Sequence, residues 1–404
     1  MKSTRLVSLF AIAIAASGIS ALGNDWPRWL GPNGNNRVVP TASFDANLEN
    51  WKIAWEREIG LGYSAVTISD GLGYSMGRDG KSSEVIVCFD ANTGEVVWQR
   101  TYQGDLIPKM HAGGPNASIT ISGDSLYALS KDGLAKRLSA KTGKEVWSTQ
   151  LTDVLDMDVP RWGFASSPYE YRDWILLSAG KVTALNKDTG KPVWTTSDAN
   201  KPGYSTPIVF SSGAKDYIAA FDSEGFSVLQ ANDGKELARL PVKAKYDLTA
   251  ATPVVTGNGD NIFLSINTGS KMLSFDGKRL NSKWEARDLQ NYASTNPVID
   301  GAMYGIDGHV KTVKSKLYSV DFETGDVNWT VPEFGYASMI AVGDTLLIQT
   351  EAGELVTANA SSDNYQEISR RKLLEGICWT HPVYANNRIN VRNEDGRLLC
   401  LERG

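Results

Sequence analysis

The chain has 404 residues, with 46 acidic against 41 basic side chains and a formal charge of −5. A mildly acidic protein with no Lys/Arg cluster makes a poor partner for nucleic acid or an anionic membrane surface. Three scattered cysteines, Cys88, Cys378 and Cys400, supply no disulfide framework, no CxxC zinc pair and no CxxCH haem attachment.

The first segment sets the expected compartment. Lys2 and Arg5 form a short positive region, and residues 6–16 are apolar apart from Ser8. Small residues then lead to Ala21-Leu22-Gly23, so residues 1–23 read as a cleavable signal peptide. The apolar run is too short for a hydrocarbon core of about 30 Å. No cysteine sits at the cut, so no lipid anchor is expected. The mature chain is expected to be periplasmic or secreted, monomeric, and free of integral membrane segments.

Residues 24–50 contain Pro27, Gly31, Pro32, Gly34 and Pro40. They read as an irregular arm over the surface. A lone strand follows at 51–57, carrying Trp55. From there the chain is organised by self-similarity. Phe89-Asp90-Ala91-Asn92-Thr93-Gly94-Glu95-Val96-Val97-Trp98 returns at 138–147, 185–194 and 320–329, with Gly143 and Trp147, Gly190 and Trp194, and Gly325 and Trp329 in the same places. Degenerate copies put Ala238, Trp284 and Ile368 in the tryptophan slot. Counted from Trp55, the slots recur every 39–49 residues, the length of one four-stranded propeller blade.

The local chemistry accounts for the motif. A short polar side chain caps the turn between two strand-like runs, and glycine supplies the positive φ of a bulged hairpin. The tryptophan belongs on the outermost strand, where one ring of roughly 150–250 Å² covers the gap between blades. The last repeat stops three strands in, at 397–401, so the strand at 51–57 is expected to complete it and remove the open edge. The reading is all-β: residues 51–404 form one eight-bladed β-propeller of four-stranded antiparallel blades, closed by pairing of an N-terminal strand with the C-terminal strands.

These runs resemble the PQQ-repeat (quinoprotein-like) propeller superfamily, whose signature is A-x-x-x-G-x-x-x-W. The resemblance covers essentially the whole mature chain. Asp25-Trp26-Pro27-Arg28-Trp29-Leu30-Gly31-Pro32 and Pro160-Arg161-Trp162-Gly163-Phe164 resemble the bacterial PQQ-binding-like repeat proteins. In quinoprotein alcohol and glucose dehydrogenases of this superfamily, the resemblance implies a quinone over the central funnel, between a tryptophan and a vicinal Cys–Cys disulfide, beside calcium and a catalytic aspartate. This sequence has no adjacent cysteines and no match to the calcium-ligand segments. A second relative is the lipoprotein propeller of the outer-membrane β-barrel assembly machine, a non-enzymatic binder whose lipidated cysteine is missing here.

A second repeated element, Gly-Tyr-Ser and its variants, precedes innermost strands at Tyr63, Tyr204, Tyr292 and Tyr336. Trp162 and Trp379 occupy matching places, Arg161 adjoins the first, and His111 and His381 fall in the entry stretches of blades 2 and 8. These nine residues are the candidates for a ligand pocket at the funnel mouth, against the alternative that each ring simply packs between blades. No catalytic residue and no metal ligand set is expected, since the three histidines are scattered and no nucleophile–base order stands out. The expected function is a non-catalytic scaffold for an unidentified protein or small ligand, with no cofactor. The alternative is a PQQ- and calcium-dependent oxidoreductase acting on an alcohol or sugar.

Overall fold

The computed structural model describes residues 24–404 except 81, 109–110, 197–201, 292 and 313. The proposed signal peptide and Tyr292 therefore lie outside the described residues. Eight four-stranded antiparallel sheets follow one another around a ring, so the fold is an eight-bladed β-propeller. Blade 1 consists of Thr67–Ser69, Leu72–Arg78, Ser83–Asp90 and Val96–Gln103, from the innermost strand outward.

Each blade forms for the same local reason. In the turn before the outermost strand of blade 1, Asp90 Oδ1 accepts the backbone N–H of Asn92 at 2.8 Å and of Thr93 at 2.9 Å. Gly94 follows at φ +71°. The outermost strand then starts with a register shift, and the same shift occurs between the last two strands of all eight blades. That bulge turns the tryptophan toward the neighbouring blade.

There the glycine has a second role. An added Cβ on Gly143 would lie 2.6 Å from the Trp98 ring of the preceding blade. Trp55 meets Gly94, Trp147 meets Gly190, Trp194 meets Gly234 and Trp284 meets Gly325 in the same way. Trp55, Trp98, Trp147, Trp284 and the equivalent Trp329 also donate Nε1–H to a backbone carbonyl of the next blade, as Trp98 does to Ala140 at 2.8 Å. Trp55, Trp98 and Trp147 are buried, whereas Trp194, Trp284 and Trp329 are only partly so.

The ring closes as its ends require. Trp51–Glu58 pairs antiparallel with Arg397–Arg403 and completes blade 8 with Val383–Ala385 and Arg388–Arg392. A second device lies inside the same seam. Arg392, 1% exposed, donates to the carbonyls of Gly60, Gly62, Ser64 and Met76 and to Ser75 Oγ, at 2.8–3.0 Å. Burial lowers its pKa to about 10. All three cysteines are free and fully buried.

Residues 24–38 depart most from expectation. They are not a surface strap, because Trp26, Leu30 and Asn36 are almost completely buried. Trp26 bridges Ile68 of blade 1, and the Pro27 carbonyl accepts from Ile121 N–H of blade 2. Arg28 stands over the Tyr169 ring of blade 3, Trp29 Nε1 donates to Thr252 Oγ1 of blade 5, and Asn36 Nδ2 donates to the Thr295 carbonyl of blade 6. Arg37–Val38 adds a parallel fifth strand beside Ala337–Val342 of blade 7, and Asp25 accepts from Asn386 of blade 8. A run that touches seven of eight blades from within must cross the axis. It does so at the end where Asp70, Gly343 and Asn386 turn from the innermost to the second strand. The channel is thereby converted into a blind funnel.

Candidate functional site

Opposite the plug, the loops entering the innermost strands surround a cavity of about 290 Å³. Its geometry starts from a belt of six residues, four of which, Ser118, Ser167, Thr206 and Thr252, carry a hydroxyl. Two residues before the innermost strand stand Ala65, Ser118, Ser167, Thr206, Thr252 and His381 in blades 1, 2, 3, 4, 5 and 8. Their hydroxyls staple neighbouring blades: Ser118 Oγ accepts Ala65 N–H, Ser167 Oγ accepts Ser118 N–H, and Thr206 Oγ1 accepts Ser167 N–H, at 2.9–3.0 Å. Side chains just before the belt then face the axis, which explains why a Gly-Tyr-Ser repeat builds a ring of aromatics.

Tyr63, His111, Trp162, Tyr204, Tyr336, Trp379 and His381 all line the cavity. Tyr63 and Trp379 stack with centroids 5.3 Å apart and planes at 21°. Their polar tips are committed elsewhere, since Tyr63 Oη donates to Glu394 at 2.6 Å and Trp379 Nε1 donates to Glu351 at 2.5 Å. His111 bridges two of the walls, edge-on to Tyr63 at 5.6 Å and tilted against Trp162 at 6.0 Å. Burial, with Lys131 and Lys311 nearby, lowers its pKa to about 4. Burial likewise pushes the Tyr204 hydroxyl up to about 12. Arg161 is exposed and does not line the cavity, but its guanidinium stands 5.2 Å over the Trp162 ring at the rim.

Several lining residues carry no signal in the sequence. Trp29 and Asn36 come from the arm and form the floor. His381 packs against Trp29 at 5.0 Å and Trp26 at 5.7 Å. Its Nδ1 lies 2.9 Å from the Pro382 carbonyl, and burial lowers its pKa to about 4. Asn36 Oδ1, Trp162 Nε1 and His381 Nε2 are buried without a protein partner. Ser205 Oγ and Thr249 Oγ1, each flanked by lining residues, are in the same condition. These atoms stand in or beside the residues that line the cavity but have almost no accessible surface of their own.

Lys131 lies beside this site, 0% exposed, with its Nζ unpartnered and its side chain passing against Gly163. Glu84 accepts the Lys131 backbone N–H at 3.2 Å and the Tyr102 hydroxyl at 2.9 Å. Burial raises the carboxyl to about 7 and lowers the amine to about 7.

The quinone and calcium implied by the superfamily resemblance do not fit these residues. A calcium ion needs several oxygen ligands, carboxylates above all. No Asp or Glu lines the cavity, and no group of three or more His, Cys, Asp or Glu side chains that could hold a metal occurs among the described residues. The nearby carboxylates of Glu351 and Glu394 are already engaged. The cysteines are apart, so no vicinal disulfide can form a stacking wall.

Comparison with known proteins places this architecture. The chain is 20% identical over 331 residues to outer membrane protein assembly factor BamB from Shewanella oneidensis, covering 80% of this chain and 67% of that protein. The crystal structure of BamB from Moraxella catarrhalis superposes with a TM-score of 0.65 at 14% identity, covering 87% of this chain and 97% of that one. A europium-containing methanol dehydrogenase superposes with a TM-score of 0.73 at 10% identity, covering 94% and 98%. At these identities the superpositions speak for the fold. The family model described as outer membrane protein assembly factor BamB matches residues 81–331, more than half of the chain, and the protein belongs to that family.

Proposed function

We propose that this protein is an exported, non-catalytic propeller whose entry-face funnel binds a small ligand or a group presented by a partner protein. One observation carries the reading: a plugged, aromatic-lined funnel gathers unpartnered buried polar atoms yet has no carboxylate on its wall. A general acid–base pair needs two titratable groups within reach of one substrate atom. Here both lining histidines are held neutral, and the adjacent carboxylates already bind Tyr63 and Trp379. Family membership favours a partner in outer-membrane protein assembly. Export by residues 1–23 would put the chain in the periplasm, and no helix among the described residues is long and apolar enough to cross a membrane.

The test has two arms. A photo-crosslinking residue at position 161, beside the funnel rim, should capture a discrete envelope partner in cells, and Trp162→Ala should abolish the capture. The purified mature protein, incubated with PQQ and Ca²⁺, should retain no stoichiometric quinone and should reduce no artificial electron acceptor with alcohols or sugars. Calcium-dependent turnover would establish the oxidoreductase reading instead.

A further inference from the structure

The hydrogen bonds of the funnel wall narrow what it can hold. Of the rings that line it, Trp29, Tyr63 and Trp379 are partly exposed. Each has its polar tip engaged inside the protein: Trp29 Nε1 donates to Thr252 Oγ1 at 3.0 Å, Tyr63 Oη to Glu394 and Trp379 Nε1 to Glu351. Lining hydroxyls are used in the same way, since Ser338 Oγ donates to the Trp379 carbonyl at 3.0 Å and Thr380 Oγ1 to the Tyr63 carbonyl at 3.3 Å. Asn36 Oδ1, Trp162 Nε1 and His381 Nε2 have almost no accessible surface. Two partly exposed polar side chains, His111 and Asn116, also have internal partners: His111 Nδ1 accepts the Gly113 N–H at 2.9 Å, and Asn116 Nδ2 donates to the Trp162 carbonyl at 3.5 Å. The wall is therefore mainly carbon, from those three rings together with Ala165, Ala250 and Val310.

Charge does not single out an ion. The Lys311 ammonium lies 5.7 Å over the Trp379 ring, and Glu351, which holds the tip of that ring, also accepts the Lys311 N–H at 2.8–2.9 Å. Glu394 stands behind Tyr63 in the same stack. With an ammonium and two carboxylates at one wall, neither sign of charge dominates. An ion or a polyhydroxyl ligand would lose its water here and find few free partners to replace it. A neutral aromatic ring has no such loss. It also gains edge-to-face and offset packing against the wall rings, beyond simple area burial. At about 290 Å³, the cavity suits one ring or two fused rings.

We infer that the funnel is a binding site for a neutral aromatic ring, held by packing against Trp29, Tyr63 and Trp379 and not by hydrogen bonds. This deepens the proposed binding function and rests on it. Calorimetric titration of the mature chain with ring compounds matched in shape tests it. Indole and benzyl alcohol should bind saturably. Benzoate, benzylammonium and the aliphatic cyclohexylmethanol should each bind at least tenfold more weakly than benzyl alcohol. Trp379→Ala should weaken indole about tenfold, Trp379→Phe should keep most of the affinity, and Ala250→Trp should fill the cavity and abolish binding. His111→Phe and Asn116→Leu remove polar groups only, so each should leave indole within about twofold, with circular dichroism and melting temperature reporting whether every variant is folded. N-acetyltryptophanamide separates the two sources of such a ring: binding as tight as indole assigns it to an aromatic side chain of the partner, and exclusion assigns it to a free compound. A folded Trp379→Ala variant with unchanged affinity overturns the packing assignment, as does a tenfold loss in folded His111→Phe or Asn116→Leu. Tighter binding of benzoate, benzylammonium or cyclohexylmethanol overturns the ligand class and leaves the funnel a binding site. Silence from all ring compounds, with crosslinking at position 161 intact, also overturns the class, and silence in both assays removes the funnel reading itself.

Discussion

The seam between blades 1 and 2 and the seam between blades 4 and 5 close the same gap by different means. In the first, Trp98 lies on Gly143 and hydrogen bonds the Ala140 carbonyl. In the second, the slot residue is Ala238, and the space is taken by Phe210, Tyr217 and Phe275, with centroids 5.0–6.2 Å apart and Tyr217 Oη beside Gly277. The seam between blades 7 and 8 gives a third answer. Ile368 stands exposed in the slot, and the arm segment bearing Phe44 and Leu48 packs there against Trp51 and Tyr384. The requirement common to all three is filled volume, not tryptophan, and a ring can be supplied from another strand or from another part of the chain.

The largest effect that would break this comparison is at the closing seam. Deleting residues 24–57 removes the outer strand of blade 8, the plug, and the filler of the 7–8 seam together. The ring should lose its single cooperative unfolding transition, and a truncated protein that melts like the intact one would refute the closure argument. Next, Trp98→Ala should cost about 3–5 kcal/mol in denaturant unfolding. Trp329→Ala should cost less, because that ring is only partly buried. Gly143→Ala should cost roughly 1–3 kcal/mol from the left-handed backbone alone, at φ +65°. Contact with Trp98 adds to it, so the double variant should lose less than the sum of the two. Ala238→Trp restores the motif on paper yet should destabilise by about 1–3 kcal/mol, since Tyr217 and its neighbours already occupy the slot. A stabilising Ala238→Trp would show that the aromatic cluster is a poor substitute.

At neutral pH the smallest effect is that of the histidines, which appears only on acidification. His111 and His381 have folded pKa values lowered from 6.5 to about 4. Between those values the unfolded chain binds protons that the folded chain does not. Their contribution is therefore full above pH 6.5 and is lost as pH falls toward 4, by at most about 1.4 kcal/mol per pH unit for each ring. His381→Phe should remove its share of that slope in unfolding measured from pH 7 to pH 4.

The blades were legible because the Gly-to-Trp repeat places its turn, bulge and seam ring within ten residues. The aromatic mouth was legible for the same reason, since Tyr63, Tyr204 and Tyr336 recur at one position of the blade. The floor was not. Trp29 and Asn36 meet partners more than 200 residues away on different blades, and no local period records such contacts. Arg392 was equally hidden. In Arg-Ile-Asn-Val-Arg it reads as an outward polar residue of an alternating strand, and only the closed ring brings carbonyls of blade 1 around it. Arg161 stands in the turn that Gly163 N–H closes on the Pro160 carbonyl, with its guanidinium over the Trp162 ring, so it sits at the funnel rim and not among the lining residues.

The axial plug also bears on how the protein is made. Segments 24–38 and 51–58 leave the ribosome first, yet the partners of the second are residues 397–403, among the last to emerge. Throughout synthesis, one bare strand and an arm with two tryptophans wait for a ring that does not yet exist. Open-ended arrays can consolidate unit by unit, but here the terminal contacts have the longest sequence separation in the molecule and must form late. A nascent chain in that state is vulnerable to mispairing and to holding factors alike. Once the arm has crossed the axis, the order is reversed: withdrawing it breaks contacts with seven blades at once, so the segment slowest to find its place is also the one that should make the finished ring slow to reopen.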